Sequence, residues 1–370
     1  MVPVAEGSNP SRHPIPLLLW ILFCATSFAG SFTQTDIYKA GDDGYTSFRI
    51  PALIRTPKGT LLAFCEGRRN SASDTGDIDI VLKRSSDNGK TWSSVQKVAD
   101  LGEDTIGNPA PVVERKSGAI LLLLTSNPGR VSEKQIIDGT APSGRRVWIT
   151  RSTDDGHTWS APVDITGQTK RPDWTWYATG PGNGIQLRSG RLVIACDHNV
   201  AGTNERHSHV IYSDDGGATW KIGGVAEDKT NESAVAQLKN GDLLLNMRSY
   251  HGKNRRAVQR STDGGLTWSP LEFDQTLIEP VCQASLISDG KRLLFSNPAA
   301  TTRSRMTVRI STDGGGTWPV SRVVHEGPAA YSSLAMLGGS RVGLLYERGD
   351  AKPYEKITFA AFDLAWIKNK

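Results

Sequence analysis

Twelve positions invite a chemical reading before any fold is assigned, because each bounds an apolar stretch with a side chain able to hydrogen-bond. Arg49, Asn108, Asn183, Glu232, Gln283 and Tyr331 stand where such stretches begin. Arg68, Asn127, His198, Arg248, Asn297 and Glu347 stand where the following stretches end. Two neighbouring loops add charge: NSASDTGD carries Asp74 and Asp77, and PAATTRSR carries Arg303 and Arg305. If one element gathers Arg49, Arg68, Arg248 and Arg303, their like charges repel unless an anion satisfies them. The planar guanidinium fork matches a carboxylate or a phosphate. The chemistry these residues suggest is therefore capture of an organic anion beside a few carboxylates and one phenol. The competing reading is a set of ordinary surface ion pairs.

The elements that must position them are repeats. Ser85–Trp92 (SSDNGKTW) returns as S-x-D-x-G-x-T-W from Ser152, Ser213, Ser261 and Ser311, making five copies that end at Trp92, Trp159, Trp220, Trp268 and Trp318. In such a turn Asp folds back onto backbone N–H groups, Gly supplies φ > 0, and Trp packs between sheets. These aspartates hold turns and do no chemistry. A second repeat runs out of phase: a turn glycine introduces an apolar strand at Gly59, Gly118, Gly190, Gly241, Gly290 and Gly339. Together the repeats give six units of strand, glycine turn, apolar strand, loop, strand, box turn, strand. The expected fold is all-β: a six-bladed β-propeller with four antiparallel strands per blade. The closing strand ITFAAFDLAW should pair with the segment near Asp36 to Tyr38, removing an exposed edge. In a meander the first strand's beginning and the second strand's end share a face, so the twelve polar positions would rim one cup and the boxes would lie opposite.

Composition narrows the classes. Lys and Arg number 43 against 38 Asp and Glu, a balance of +5 without a basic cluster, so no nucleic-acid partner is expected. Hydrophobic residues at 38% suffice for a core and exclude a disordered chain. Ile15 to Phe28 is a short apolar run after Arg12 and His13, with Ser27-Phe28-Ala29 resembling a cleavage site. Residues 1–30 are read as a signal peptide of an exported (secreted or periplasmic) protein, with a retained membrane anchor as the alternative; Phe23 before Cys24 argues against lipoprotein processing. Residues 31–370 would form a single catalytic domain, expected to be a monomer. Cys65, Cys196 and Cys282 lack CxxC spacing and read as buried small hydrophobes; no metal or cofactor is expected.

At this point the residues resemble the sialidases (exo-α-neuraminidases), particularly the exported bacterial ones. Phe48-Arg49-Ile50-Pro51, the five boxes and the contexts of Arg248 (LLLNMRSY) and Arg303 (TTRSRMTVRIS) carry the resemblance, from about Phe48 to Trp366. It implies that Arg49, Arg248 and Arg303 grip the carboxylate of sialic acid and that Glu347 braces Arg49. It further implies Asp74 as acid/base, Tyr331 as nucleophile and Glu232 as its base, with Arg68 as a supporting arginine near the acid loop. Asp77 is the alternative to Asp74, Arg69 to Arg68, and Arg305 to Arg303. A tyrosine suits this substrate because a carboxylate nucleophile would meet the sugar's own negative charge. The implied activity is retaining hydrolysis of terminal α-linked sialic acid on glycoproteins, glycolipids or oligosaccharides. The alternatives are a non-catalytic box propeller that binds such glycans, a hydrolase of a related keto-sugar acid, and a trans-sialidase. Trp174, Trp176 and Tyr177 either wall the cup or pack its rim.

Overall fold

The computed structural model describes residues 1–5, 7, 30–203 and 205–368. The apolar run Ile15 to Phe28, which includes Cys24 and is read as part of a signal peptide, lies outside the described residues. Alternating apolar and polar residues between glycine turns fold as the sequence pattern dictates, into antiparallel meanders. The strands form four sheets, of seven, five, four and eight strands; the eight-stranded sheet is two meanders touching at Ile78 and Thr105 and the seven-stranded one is two sharing a strand, so the pairings trace six meanders. The first is Ser47–Arg55, Leu61–Arg68, Ile78–Ser85 and Gln96–Ala99. The long strand Val320–Gly338 serves two: its first half pairs with Ser304–Ser311 and its second half with Arg341–Arg348.

The last meander is completed by the beginning of the chain. Phe32–Lys39 pairs antiparallel with Lys356–Asp363, from Phe32 opposite Phe362 to Lys39 opposite Lys356. This ladder is longer than the Asp36 to Tyr38 contact the sequence suggests. Arg348 donates to Asp36 at 2.7 Å, and Phe32 stacks on Trp366 with ring centroids 4.5 Å apart.

The boxes explain how one meander holds the previous one. Asp87 accepts from the N–H groups of Lys90 and Thr91 and from the Thr91 hydroxyl, while Ser85 accepts from the N–H of Gly89. The Thr91 hydroxyl, then its N–H, hold the Asp87 carboxyl far below its ordinary value. The bonds from the Thr hydroxyl and the Thr N–H recur at Asp154, Asp215, Asp263 and Asp313. Gly89 has φ +85, and a Cβ there would lie 2.0 Å from Phe359 of the sixth meander. Trp92 meets the same Phe359 edge-on, and Trp159 meets Phe64 of the first. Each box thus presses a glycine and a tryptophan onto the preceding unit. Cys65, Cys196 and Cys282 are buried and free. Among the described residues, no helix is long and apolar enough to cross a membrane.

Candidate active site

Local irregularity, not regular strand, aims the site. The first strands of four meanders slip register between Arg49 and Ala52, Gly107 and Ala110, Thr230 and Ser233, and Ala329 and Ser332. A bulge of this kind bends the strand and re-aims a side chain, and it falls at Arg49, Asn108, Glu232 and Tyr331. Ile50 is driven to φ +60 as a result, and Asn108 sits at φ +55; for a β-branched residue that conformation costs on the order of 1–3 kcal/mol. Fully buried Glu347 holds the distortion in place. It accepts from Arg49 Nε at 2.9 Å, from the N–H of Ile50 at 2.8 Å and from the N–H of Tyr331 at 3.0 Å. Glu66 does the same for the second meander, accepting from the N–H of Asn108 at 2.9 Å.

These bulges converge on a polar cavity of about 200 Å³. The Tyr331 hydroxyl donates to Glu232 Oε1 at 2.5 Å. Arg248 donates to the other Glu232 oxygen at 2.7 Å and to the Tyr331 oxygen at 3.3 Å. Burial, then the Glu232 charge, pushes the Tyr331 phenol well above its ordinary value, so it rests protonated against a base. The Arg49 and Arg303 guanidinium carbons lie 5.3 and 5.6 Å from the Tyr331 ring centroid. Three guanidiniums from three meanders therefore surround one phenol.

Asp74 lies on the other side, with a side chain 58% exposed and Oδ1 2.7 Å from Arg68 and 3.8 Å from Arg49. Burial opposes ionisation, but Arg68 and then Arg49 outweigh it and hold the Asp74 carboxyl below its usual range. Arg68 is itself clamped by Glu66 at 2.6 Å and by the carbonyl of Ala72. The far wall is Arg145, which donates to Asn127 and Asn108 and lies 3.7 Å over Trp176. Glu133 and Asp197 complete it; burial pushes both carboxyls up, Asp197 well up. A roomier cavity of about 990 Å³ opens among the box turns, where Asp214 pairs with Arg191 and Glu114 accepts from the Ser117 hydroxyl. No group of three or more His, Cys, Asp or Glu able to hold a metal occurs among the described residues.

Residues 59–344 match the BNR repeat-like domain. The exo-alpha-sialidase of Arthroderma benhamiae is 36% identical over 88% of this chain and 85% of its own length. The chain belongs to the sialidase family. The sialidase of Bacteroides fragilis is 37% identical over 88% of this chain, and this chain spans 63% of that relative's length. A solved Hadza microbial sialidase superposes with a TM-score of 0.82 at 36% identity, covering 90% of this chain and 68% of the other. The all-β propeller fold of the family is thus the fold of this chain.

Against the sialidase pattern, the structure brings Arg49, Arg68, Asp74, Glu232, Arg248, Arg303 and Tyr331 to one cavity, with Glu347 directly behind Arg49. The alternatives fall elsewhere. Asp77 faces Arg69, which stacks on Tyr45, and Arg305 pairs with Glu326 on the surface. The twelve-residue cup needs correction. Asn183 and Gln283 bond to backbone carbonyls deeper in the fold, Asn297 bonds to the carbonyl of Ile278, and His198 stacks on Trp174 at 3.6 Å outside the cavity. Strands that begin or end on a face do not all point inward, because side chains alternate. The aromatic stretch divides at a bulge between Trp174 and Tyr177: Trp176 lines the cavity, while Trp174 and Tyr177 are core.

Sequence reasoning missed Glu66, Glu133, Arg145, Asp197 and Tyr354. Third strands also begin on the cup face, and that position carries Arg145 and adjoins Arg303 and Tyr354. Glu66 was readable too, two residues before Arg68 on the same strand face.

Proposed function

We propose that this protein is an exo-α-sialidase that hydrolyses terminal α-linked sialic acid with retention of configuration. The observation that carries the reading is the buried Tyr331–Glu232 pair, 2.5 Å apart, beneath three converging arginines. The substrate carboxylate enters among Arg49, Arg248 and Arg303, which fixes the anomeric carbon over the phenol. The phenol oxygen bonds to that carbon as the glycosidic bond breaks; Glu232 takes the phenolic proton and Asp74 protonates the departing oxygen. In the second step Asp74 takes a proton from water, the water oxygen bonds to the anomeric carbon, and the released Tyr331 recovers its proton from Glu232. Two displacements restore the starting configuration. The arginines oppose charge at the substrate carboxylate throughout both steps.

The six meanders support a six-bladed propeller formed by residues 31–370 as the catalytic unit. Sialylated glycoproteins, glycolipids or oligosaccharides are the substrates this site suits, and the Ile15 to Phe28 leader supports an exported location. Proton NMR of the purified protein with sialyllactose tests the reading. Free sialic acid should appear first as the α anomer; the β anomer first, or no release, overturns it. Tyr331→Phe should lower kcat by about a thousandfold, and a near-normal rate would exclude the phenol as nucleophile.

A further inference from the structure

The three arginines around Tyr331 are not held alike. Arg49 is paired with the Glu347 carboxylate and Arg248 with the Glu232 carboxylate. Arg303 has no ion pair among the described residues; its side-chain bond is from Nη1 to the hydroxyl oxygen of Tyr354, at 2.6 Å. Burial weighs against the Arg303 charge but is outweighed by its neighbours, Cys282, Tyr331 and Tyr354, which leave it more firmly protonated than usual; no carboxylate of the described residues lies within ion-pair distance of it. The same Tyr354 ring carries the Arg49 guanidinium on its face, with the carbon 3.9 Å from the centroid. One phenol thus joins arginines supplied by the first and fifth meanders.

The loop that presents Tyr354 is built for rigidity. The Glu355 carboxylate accepts from the backbone N–H groups of Asp350, Ala351 and Lys352. The Gly349 N–H donates to the carbonyl of Pro328, and a Cβ on Gly349 would lie 1.8 Å from the carbonyl oxygen of Lys352. Tyr354 packs against Ile50, Cys282, Ala330 and Tyr331, next to the nucleophile.

We propose that Tyr354 is a positioning residue that orients Arg303 without neutralising it, so that Arg303 meets the substrate carboxylate with its charge unshared. A carboxylate in this place would orient the guanidinium equally well and compete with the ligand for its charge. A phenol oxygen accepts the hydrogen bond and stays neutral, and the aromatic face adds cation–π contact to Arg49. This rests on the sialidase reading above.

The test compares the full chain with Tyr354→Phe and Tyr354→Glu, using free sialic acid and its methyl ester as binding probes beside sialyllactose turnover. In Tyr354→Phe the ring under Arg49 stays and the acceptor is lost. Affinity for the acid should fall about tenfold while affinity for the uncharged ester changes little, and the melting temperature should hold. Tyr354→Glu, which supplies a charged partner, should bind the acid no better than Tyr354→Phe. An unchanged acid-to-ester ratio in Tyr354→Phe overturns the proposal, as does recovery of acid binding in Tyr354→Glu. If the unaltered protein neither binds the acid nor cleaves sialyllactose, it is the sialidase reading that fails.

Discussion

In the free protein Arg68 and Arg49 hold Asp74 ionised, which is the wrong state for the proton donor proposed above. In the proposed reaction the substrate would resolve this: its carboxylate among the arginines would offset the Arg49 charge, raise the pKa of Asp74 on binding and make a proton available where the leaving oxygen sits. The sign follows directly: in the free protein the protonated fraction of Asp74 is lost at a pH below the ordinary carboxyl range, and in the complex it persists to higher pH. With a sialoside of poor leaving group, where the first displacement limits the rate, the alkaline fall of kcat/KM should therefore begin at lower pH than the alkaline fall of kcat. Coincident falls, or the reverse order, would remove Asp74 from the acid role. At this scale the sequence was legible wherever residue type stands out: Arg49, Arg248 and Tyr331 are conspicuous as charged or phenolic ends to apolar strands, and Arg303 as a charge in a neighbouring loop. Asp197 was not, because what distinguishes it is full burial beside other charges, and burial is a property of the fold; Glu133 was not, because only the fold brings its short helix to the cavity.

Turns and bulges differ in what local sequence can say about them. The box turn is written entirely in its own eight residues, since Ser, Asp, Gly and Thr satisfy one another within the turn. The bulges at Arg49 and Tyr331 are not. They exist because Glu347, on a third strand, accepts from both backbones, and Ile50 adopts φ +60 against its own preference. The glycines separate local from long-range demands. Gly118 sits at φ +74 with nothing within 4 Å of a Cβ, so Gly118→Ala should cost only the backbone strain, about 1–2 kcal/mol. Gly89 has φ +85 and also abuts Phe359, so Gly89→Ala should cost that plus about 1–3 kcal/mol of overpacking. Urea midpoints of the two variants decide it: equal losses would mean that the box glycine serves its own turn alone and does not set the spacing between meanders.

For the whole molecule, repeat spacing reveals how many units there are, because each is built alike, but it says less about how the ring is held. The closing contact is unique and takes only eight residues, Phe32–Lys39. That strand does more than cover the edge of Lys356–Asp363. Tyr38 donates to the carbonyl of Ala63 at 2.7 Å, so the strand of the sixth meander is bonded to the first, which carries Arg49, while the sixth carries Tyr331 and Glu347. Removing residues through Lys39 should then act on stability and site together. It bares a row of unpaired N–H and C=O groups and frees two meanders whose relative position sets the distance between Arg49 and Tyr331. The truncated chain should show a lower urea midpoint, concentration-dependent aggregation, and loss of sialoside turnover at denaturant levels where its remaining β-structure is still intact by circular dichroism. A synthetic peptide of residues 32–39 should restore some of that turnover by adding back as a strand. If turnover and β-structure disappear together at an unchanged midpoint, closure is not what holds Tyr331 against the arginines.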